Sequence, residues 1–249
     1  MGKWAETEAA YFGRKDAKEE KEAMKNRVLP ILFNTDMVQA ILDGRKTTKR
    51  QVMKPQPLYY TGRRYIFADD CCPKKWEDCD NIIKTYQYQS GDILYVRETW
   101  AFIPCIGCNG DYARGTQPCY DFQAVEYDDG DSISDGCFVY RADCKTPERI
   151  TWRPSIHMPK EAARIWIKVT DVRVELLQNM NTGDFLAEGV VIRPEAFNDP
   201  ENAYWQAKEE FIHIWDATVK KAEKDRYGWD ANPWVWVIEF ERCKKPVEE

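Results

Sequence analysis

Between Asp43 and Arg64 the chain carries seven lysines or arginines and one aspartate, a local excess of about +6 in a chain of net charge −6. Within that stretch Arg45, Lys46, Thr47, Thr48, Lys49 and Arg50 form an unbroken run of cations and hydroxyls. Such a run suits a phosphate. A lysine in it can also serve as a base, provided burial or neighbouring cations lower its pKa. Arg97, Glu98 and Trp100 form a second group. On a strand, alternation sends Arg97 opposite to Glu98 and Trp100. A glutamate and an indole facing one cleft suit a nucleobase, the ring stacking on its face and the carboxylate accepting from an exocyclic amine. The plainer alternative makes Trp100 a core residue.

Arg153, Ser155 and His157 form a third polar group in a proline-flanked extended segment. His157, one of two histidines, reads either as an acid–base group or as a hydrogen-bonded structural residue. Cys105 and Cys108 have the Cys-x-x-Cys spacing that lets two thiolates share a tetrahedral ion, with Cys119, Cys137 and Cys144 downstream. Structural zinc, held by Cys105, Cys108, Cys119 and Cys137, would give shape to a glycine-rich insertion without a core of its own. No other cofactor is required. Asp121 to Asp135 holds six carboxylates and no base, without the ligand spacing of an EF-hand, and reads as a solvated loop. No phosphate-cradling glycine loop, Ser-His-Asp order or HExxH motif is present.

The elements that must position these groups follow from periodicity. Met37, Val38, Ile41 and Leu42 give a short helix an apolar face, with Asn34 or Thr35 as its cap and Gly44 as its stop. The basic run after it reads as a turn leading into proline-punctuated coil. Strands are expected at 93–100, at 165–176 with a bulge at Thr170 and Asp171, and at 234–241 with Trp234, Trp236, Ile238 and Phe240 on one side. Helices are expected at 181–188, stopped by Gly189, and at 201–222. Residues 1–27 form a charged arm, 28–243 one domain with insertions at about 59–90 and 103–148, and 244–249 a tail.

A pI near 5.3 excludes broad coating of nucleic acid by a basic surface and leaves a local basic site. No apolar run approaches the roughly 20 residues of a membrane span, and the charged N-terminus lacks the pattern of a secretory signal, so a cytoplasmic protein without membrane contact is expected. In that setting nine cysteines read as reduced thiols or metal ligands. The strands and helices do not form a regular βαβ series, and an α+β fold, a small mixed barrel decorated with helices, fits better.

Several motifs taken in order resemble the ASCH family: AILDGRKTTKR at 40–50, GDILYVRETW at 91–100, RIWIKVTDVRVELL at 164–177, LAEG at 186–189 and VWVIEF at 235–240. With WRPSIHMP at 152–159 and YGWDANPWV at 227–235, the chain is similar to ASCH proteins of bacteriophages and prophages. The likeness runs from about Leu29 to Glu241. It implies a PUA-like pseudo-barrel whose cleft binds RNA or a nucleotide. Some members hydrolyse an acylated cytidine, and others have been proposed as ribonucleases. For the amidohydrolase activity the likeness implies Lys46 as the lysine and Glu188 as the glutamate. The threonine expected three residues after the lysine is Lys49 here and the following arginine is Gln51, so Thr47 or Thr48 would have to supply the hydroxyl.

Overall fold

The computed structural model describes residues 27–67, 75–104, 125–128, 130, 133–144 and 150–247. Its main sheet has five strands in the order β1 (Val28–Leu32), β6 (Ile93–Arg97), β10 (Trp166–Leu176), β11 (Trp234–Cys243) and β2 (Thr48–Val52). β1 runs parallel to β6, and every other neighbouring pair is antiparallel. The basic run is therefore a strand from Thr48 onwards, not a turn into coil. The alternation of a strand then governs its side chains: Lys46, Thr48 and Arg50 are buried, whereas Arg45 and Thr47 are exposed.

The bulge falls where the hydrophobic pattern changes phase. The β10–β11 register slips between Val169 and Asp171, so that Ile167 and Val169 before the slip and Val172 after it enter the same core. β11 is buried on both faces. Trp236, Ile238 and Phe240 pack with α1 (Thr35–Leu42), while Val235 and Val237 pack with Phe211 and Trp215 of α4 (Pro200–Thr218). These two sides are called the α1 face and the α4 face below. Asn34 caps α1 by accepting from the Met37 N–H, and Gly44 ends it at φ +75°.

Both expected insertions contain regular structure. β3 (Tyr59–Tyr60), β4 (Arg64–Phe67) and β5 (Lys75–Asp78) make a three-stranded sheet followed by α2 (Cys79–Thr85). Tyr65, Phe67, Ile82, Tyr86 and Tyr88 from this region belong to the α1-face core. β7 (Trp100–Pro104), β9 (Ile133–Tyr140) and β8 (Val125–Asp128) form a second small sheet in that order. Its core joins Trp100 to Met158, Ala162 and Trp166.

Among the described residues the main sheet does not close into a barrel: β1 and β2 are its two edges. Side chains cross the gap instead. Lys49 Nζ on β2 donates to the Leu32 carbonyl on β1 at 2.6 Å. The Tyr88 hydroxyl donates to the Pro30 carbonyl at 2.7 Å, and the Tyr86 hydroxyl donates to Gln51 Oε1 at 2.9 Å. The two tyrosine rings meet edge to face, 5.6 Å apart. Aromatic rings thus fill the space that a hydrogen-bonded ladder would need. No helix of the described residues is long and apolar enough to cross a membrane.

Candidate functional site

α3 (Thr182–Ala187) begins with a reciprocal cap in which Asn181 and Asp184 each bind the other's backbone N–H. It ends at Glu188, and Gly189 turns the chain away at φ +95°. That turn lets residue 188 form an antiparallel bridge with Lys46, just before β2. The Thr47 N–H donates to the Ala187 carbonyl at 2.8 Å, and the Thr47 carbonyl accepts from the Phe240 N–H at 2.9 Å. The helix end, β2 and β11 are thereby stitched together through the backbone of Thr47.

On this framework Lys46 Nζ donates to Glu188 Oε2 at 2.6 Å and to the Glu188 carbonyl at 2.8 Å. Arg50 reaches Glu188 Oε1 at 3.2 Å, Glu175 at 3.4 Å and Asp184 at 3.5 Å. The side chains of Lys46, Arg50 and Glu188 are 0%, 1% and 6% exposed. Burial pushes the Lys46 ammonium below the ordinary lysine value, against the opposing pull of Glu188. The network continues from Glu175 to Arg173, which also pairs with Asp171 and Glu239. Along its whole length three cations meet five carboxylates, so no cation in it lacks a counter-charge. Two donors in it are nevertheless buried without a hydrogen-bond partner, Thr48 Oγ1 and Arg50 Nε. Of the two candidate hydroxyls, the structure puts Thr48 on the same side of β2 as Lys46 and Arg50.

Lys49 and Gln51 point to the other side of β2, opposite Ile238 and Trp236 of β11. They line a groove of about 1170 Å³ that wraps around the free edge of β2 and reaches across to Leu32 at the end of β1 and Phe33 just beyond it. Arg97 and Ser155 line the same part of it. Its other arm, on the α4 face, includes Arg50, Glu188, Phe211 and Trp215.

The cations of the α1-face arm are held differently from Lys46 and Arg50. Lys49 donates to the Leu32 carbonyl and lies 4.5 Å above the Phe33 ring. Arg97 donates to the carbonyls of Met158 and Ile156. Neither is paired with a carboxylate by an ion pair among the described residues, and no carboxylate lines this arm. Two positive charges accordingly face the groove on backbone carbonyls, without a carboxylate in direct contact. Burial, with a smaller push from the Lys46 ammonium, brings the Lys49 pKa down to about 8.

Compared with known protein families, curated proteins and solved structures, the chain has no match.

The remaining expected site residues lie elsewhere. Glu98 is buried and holds Arg164 through both carboxylate oxygens, at 2.9 and 3.0 Å, so it does not reach the groove. Trp100 is buried in the core of the second small sheet, where its backbone bridges Arg153 and the Arg153 guanidinium lies 5.2 Å from its ring. Both are removed from base recognition because the expected strand is interrupted between β6 and β7, which turns Trp100 inward. His157 is exposed in a 3₁₀ turn over Ser155–His157 and does not line the groove. Arg45 is exposed, donating to the Gly189 carbonyl and pairing with Asp43.

Cys105, Cys108 and Cys119 of the expected zinc set fall outside the described residues, and Cys137 is buried on β9. Among the described residues no group of three or more His, Cys, Asp or Glu side chains could hold a metal ion. Tyr86, Tyr88, Phe33 and Gln51 were not expected in the site. The first two lie in a segment without periodicity, so only the aromatic pair itself gave a signal.

Proposed function

We propose that the chain is an ASCH-type protein whose PUA-like, partly open barrel binds RNA or a nucleotide in the groove along β2. The observation that carries this reading is the pair Lys49 and Arg97, each held by backbone carbonyls rather than by an ion pair among the described residues, beside Phe33, Tyr86 and Trp236. Cations not tied to a carboxylate attract phosphate, and aromatic walls suit bases. In a protein of net charge −6 this arm is a local exception.

The test is fluorescence anisotropy with a labelled single-stranded RNA across a salt series. Removing one phosphate-contacting lysine, Lys49→Gln, is expected to lower the magnitude of the salt slope by about 0.7 and to weaken binding several-fold. The sign of the pH effect follows from burial. The ammonium is present below about 8 and is lost above it, so wild-type affinity falls as pH rises through that value. Lys49→Arg, which stays charged, flattens the fall. An unchanged salt slope in Lys49→Gln would remove this arm from the site.

A second reading, hydrolysis of an acylated nucleoside, is favoured by the unpartnered Thr48 hydroxyl beside Lys46 and Glu188. A hydroxyl with a lysine on the same strand face is the beginning of an activated nucleophile. The experiment is chromatographic detection of cytidine released from N4-acetylcytidine by wild type and by Thr48→Val. Since the hydroxyl makes no hydrogen bond, valine is expected to leave thermal stability unchanged or slightly raised. Release by wild type alone supports catalysis; release by neither protein counts against it.

A further inference from the structure

Within the α1-face arm one amide is held in a single orientation. Gln51 lies directly opposite Trp236 in the β2–β11 register and is exposed in the groove. Tyr86, whose ring stacks on Trp236 at 4.3 Å and 18°, donates its hydroxyl proton to Gln51 Oε1 at 2.9 Å. Tyr86 therefore takes one of the two lone pairs of Oε1 and fixes which way the amide faces. Nε2, whose two N–H donors make no hydrogen bond among the described residues, is the end with the most to offer a ligand.

We propose that this groove prefers uracil and guanine, which carry a carbonyl oxygen (O4, O6) where cytosine and adenine carry an exocyclic amine, with Gln51 reading that position of the base and Tyr86 fixing which way the amide faces. The inference rests on the nucleotide-binding reading above. A glutamine free to use both ends reads adenine by donating and accepting together. Here the amino group of adenine or cytosine meets a donor with a donor, whereas a carbonyl oxygen accepts. No carboxylate lines this arm to take the amino group instead. Because an enclosed donor left unpaired is costly, the mismatch weighs more than the match.

The experiment measures anisotropy of labelled oligouridylate, oligocytidylate and oligoadenylate of about eight nucleotides, within the span such grooves take, on the full chain. Wild type is expected to bind oligouridylate about tenfold more tightly than the other two, the discrimination of one good base contact. Tyr86→Phe removes one oxygen, keeps the stack on Trp236 and frees Oε1, so the ratio should fall to within about twofold. Gln51→Glu, which can only accept, should shift the preference towards oligocytidylate whatever it does to overall affinity. Equal wild-type affinities, or a ratio unmoved in both variants, would overturn the assignment. Binding of none of the three would overturn the groove reading and this inference with it.

Discussion

Glu188→Ala is expected to lower the unfolding free energy by about 3–5 kcal/mol, the range for removing one partner of a buried ion pair. Its carboxylate is shared by two cations that are almost wholly out of water. Without it Lys46 keeps only the backbone carbonyl of residue 188, while Arg50 still has Glu175 and Asp184. Lys46→Met should cost less, because Glu188 retains Arg50 and methionine fills much of the vacated volume. The deficit in Glu188→Ala should also shrink with rising pH. Burial lowers the Lys46 pKa in the folded state and Glu188 opposes that shift; without Glu188 the folded value falls further, so the variant regains more stability than wild type as pH rises towards the ordinary lysine value of 10.5. Urea unfolding at two pH values checks both statements. Equal losses in the two variants would show that the carboxylate is not the hub of the network.

Gly189→Ala is the second large effect, and it has two separable causes. The residue lies at φ +95°, and an added Cβ would stand 2.9 Å from Ala40 Cβ and 3.3 Å from Lys46 Cβ. Left-handed backbone costs a non-glycine residue about 1–3 kcal/mol. Overpacking adds about 1–3 kcal/mol more. Gly62, at φ +86° with nothing within 4 Å of an added Cβ, carries the first cost without the second. Thermal unfolding of Gly189→Ala beside Gly62→Ala thus isolates the crowding. Similar melting shifts would mean that α1 and α3 separate easily. A larger shift at Gly189 would mean that the close approach of Ala40 to residue 189 holds Lys46 against Glu188.

The parts of the fold that were legible from sequence are those where one physical signal dominates. The bulge in β10 could be read because burial enforces alternation, and a change of phase has no other cheap explanation. Gly44 and Gly189 could be read because helix ends favour left-handed glycine. The basic run was misread because its threonines and cations do not alternate in hydrophobicity. Burial there is ionic, and Glu188, which makes it tolerable, lies 142 residues away in sequence. The pairing of Lys46 with Glu188 was suggested only through a family likeness, and the placement of Thr48 rather than Thr47 beside them needed the strand. Glu98 and Trp100 misled for the opposite reason. Their types suit a base, but Arg164 and the Met158 cluster claim them first. Tyr86 and Tyr88 lie in a segment without period and become informative only once the two sheet edges are known to approach each other.

The crossing of β1 and β2 by side chains also bears on how copies of this chain behave towards one another. An open sheet ordinarily offers two rows of backbone donors and acceptors on which a strand from another molecule can pair and begin an aggregate. Here both rows turn towards a common groove. Pro30 has no N–H to offer, its carbonyl is held by Tyr88, and the Leu32 carbonyl is held by Lys49. A ligand that drew Lys49 away would uncover that carbonyl while covering the groove itself, so the edges would stay closed to foreign strands in both states.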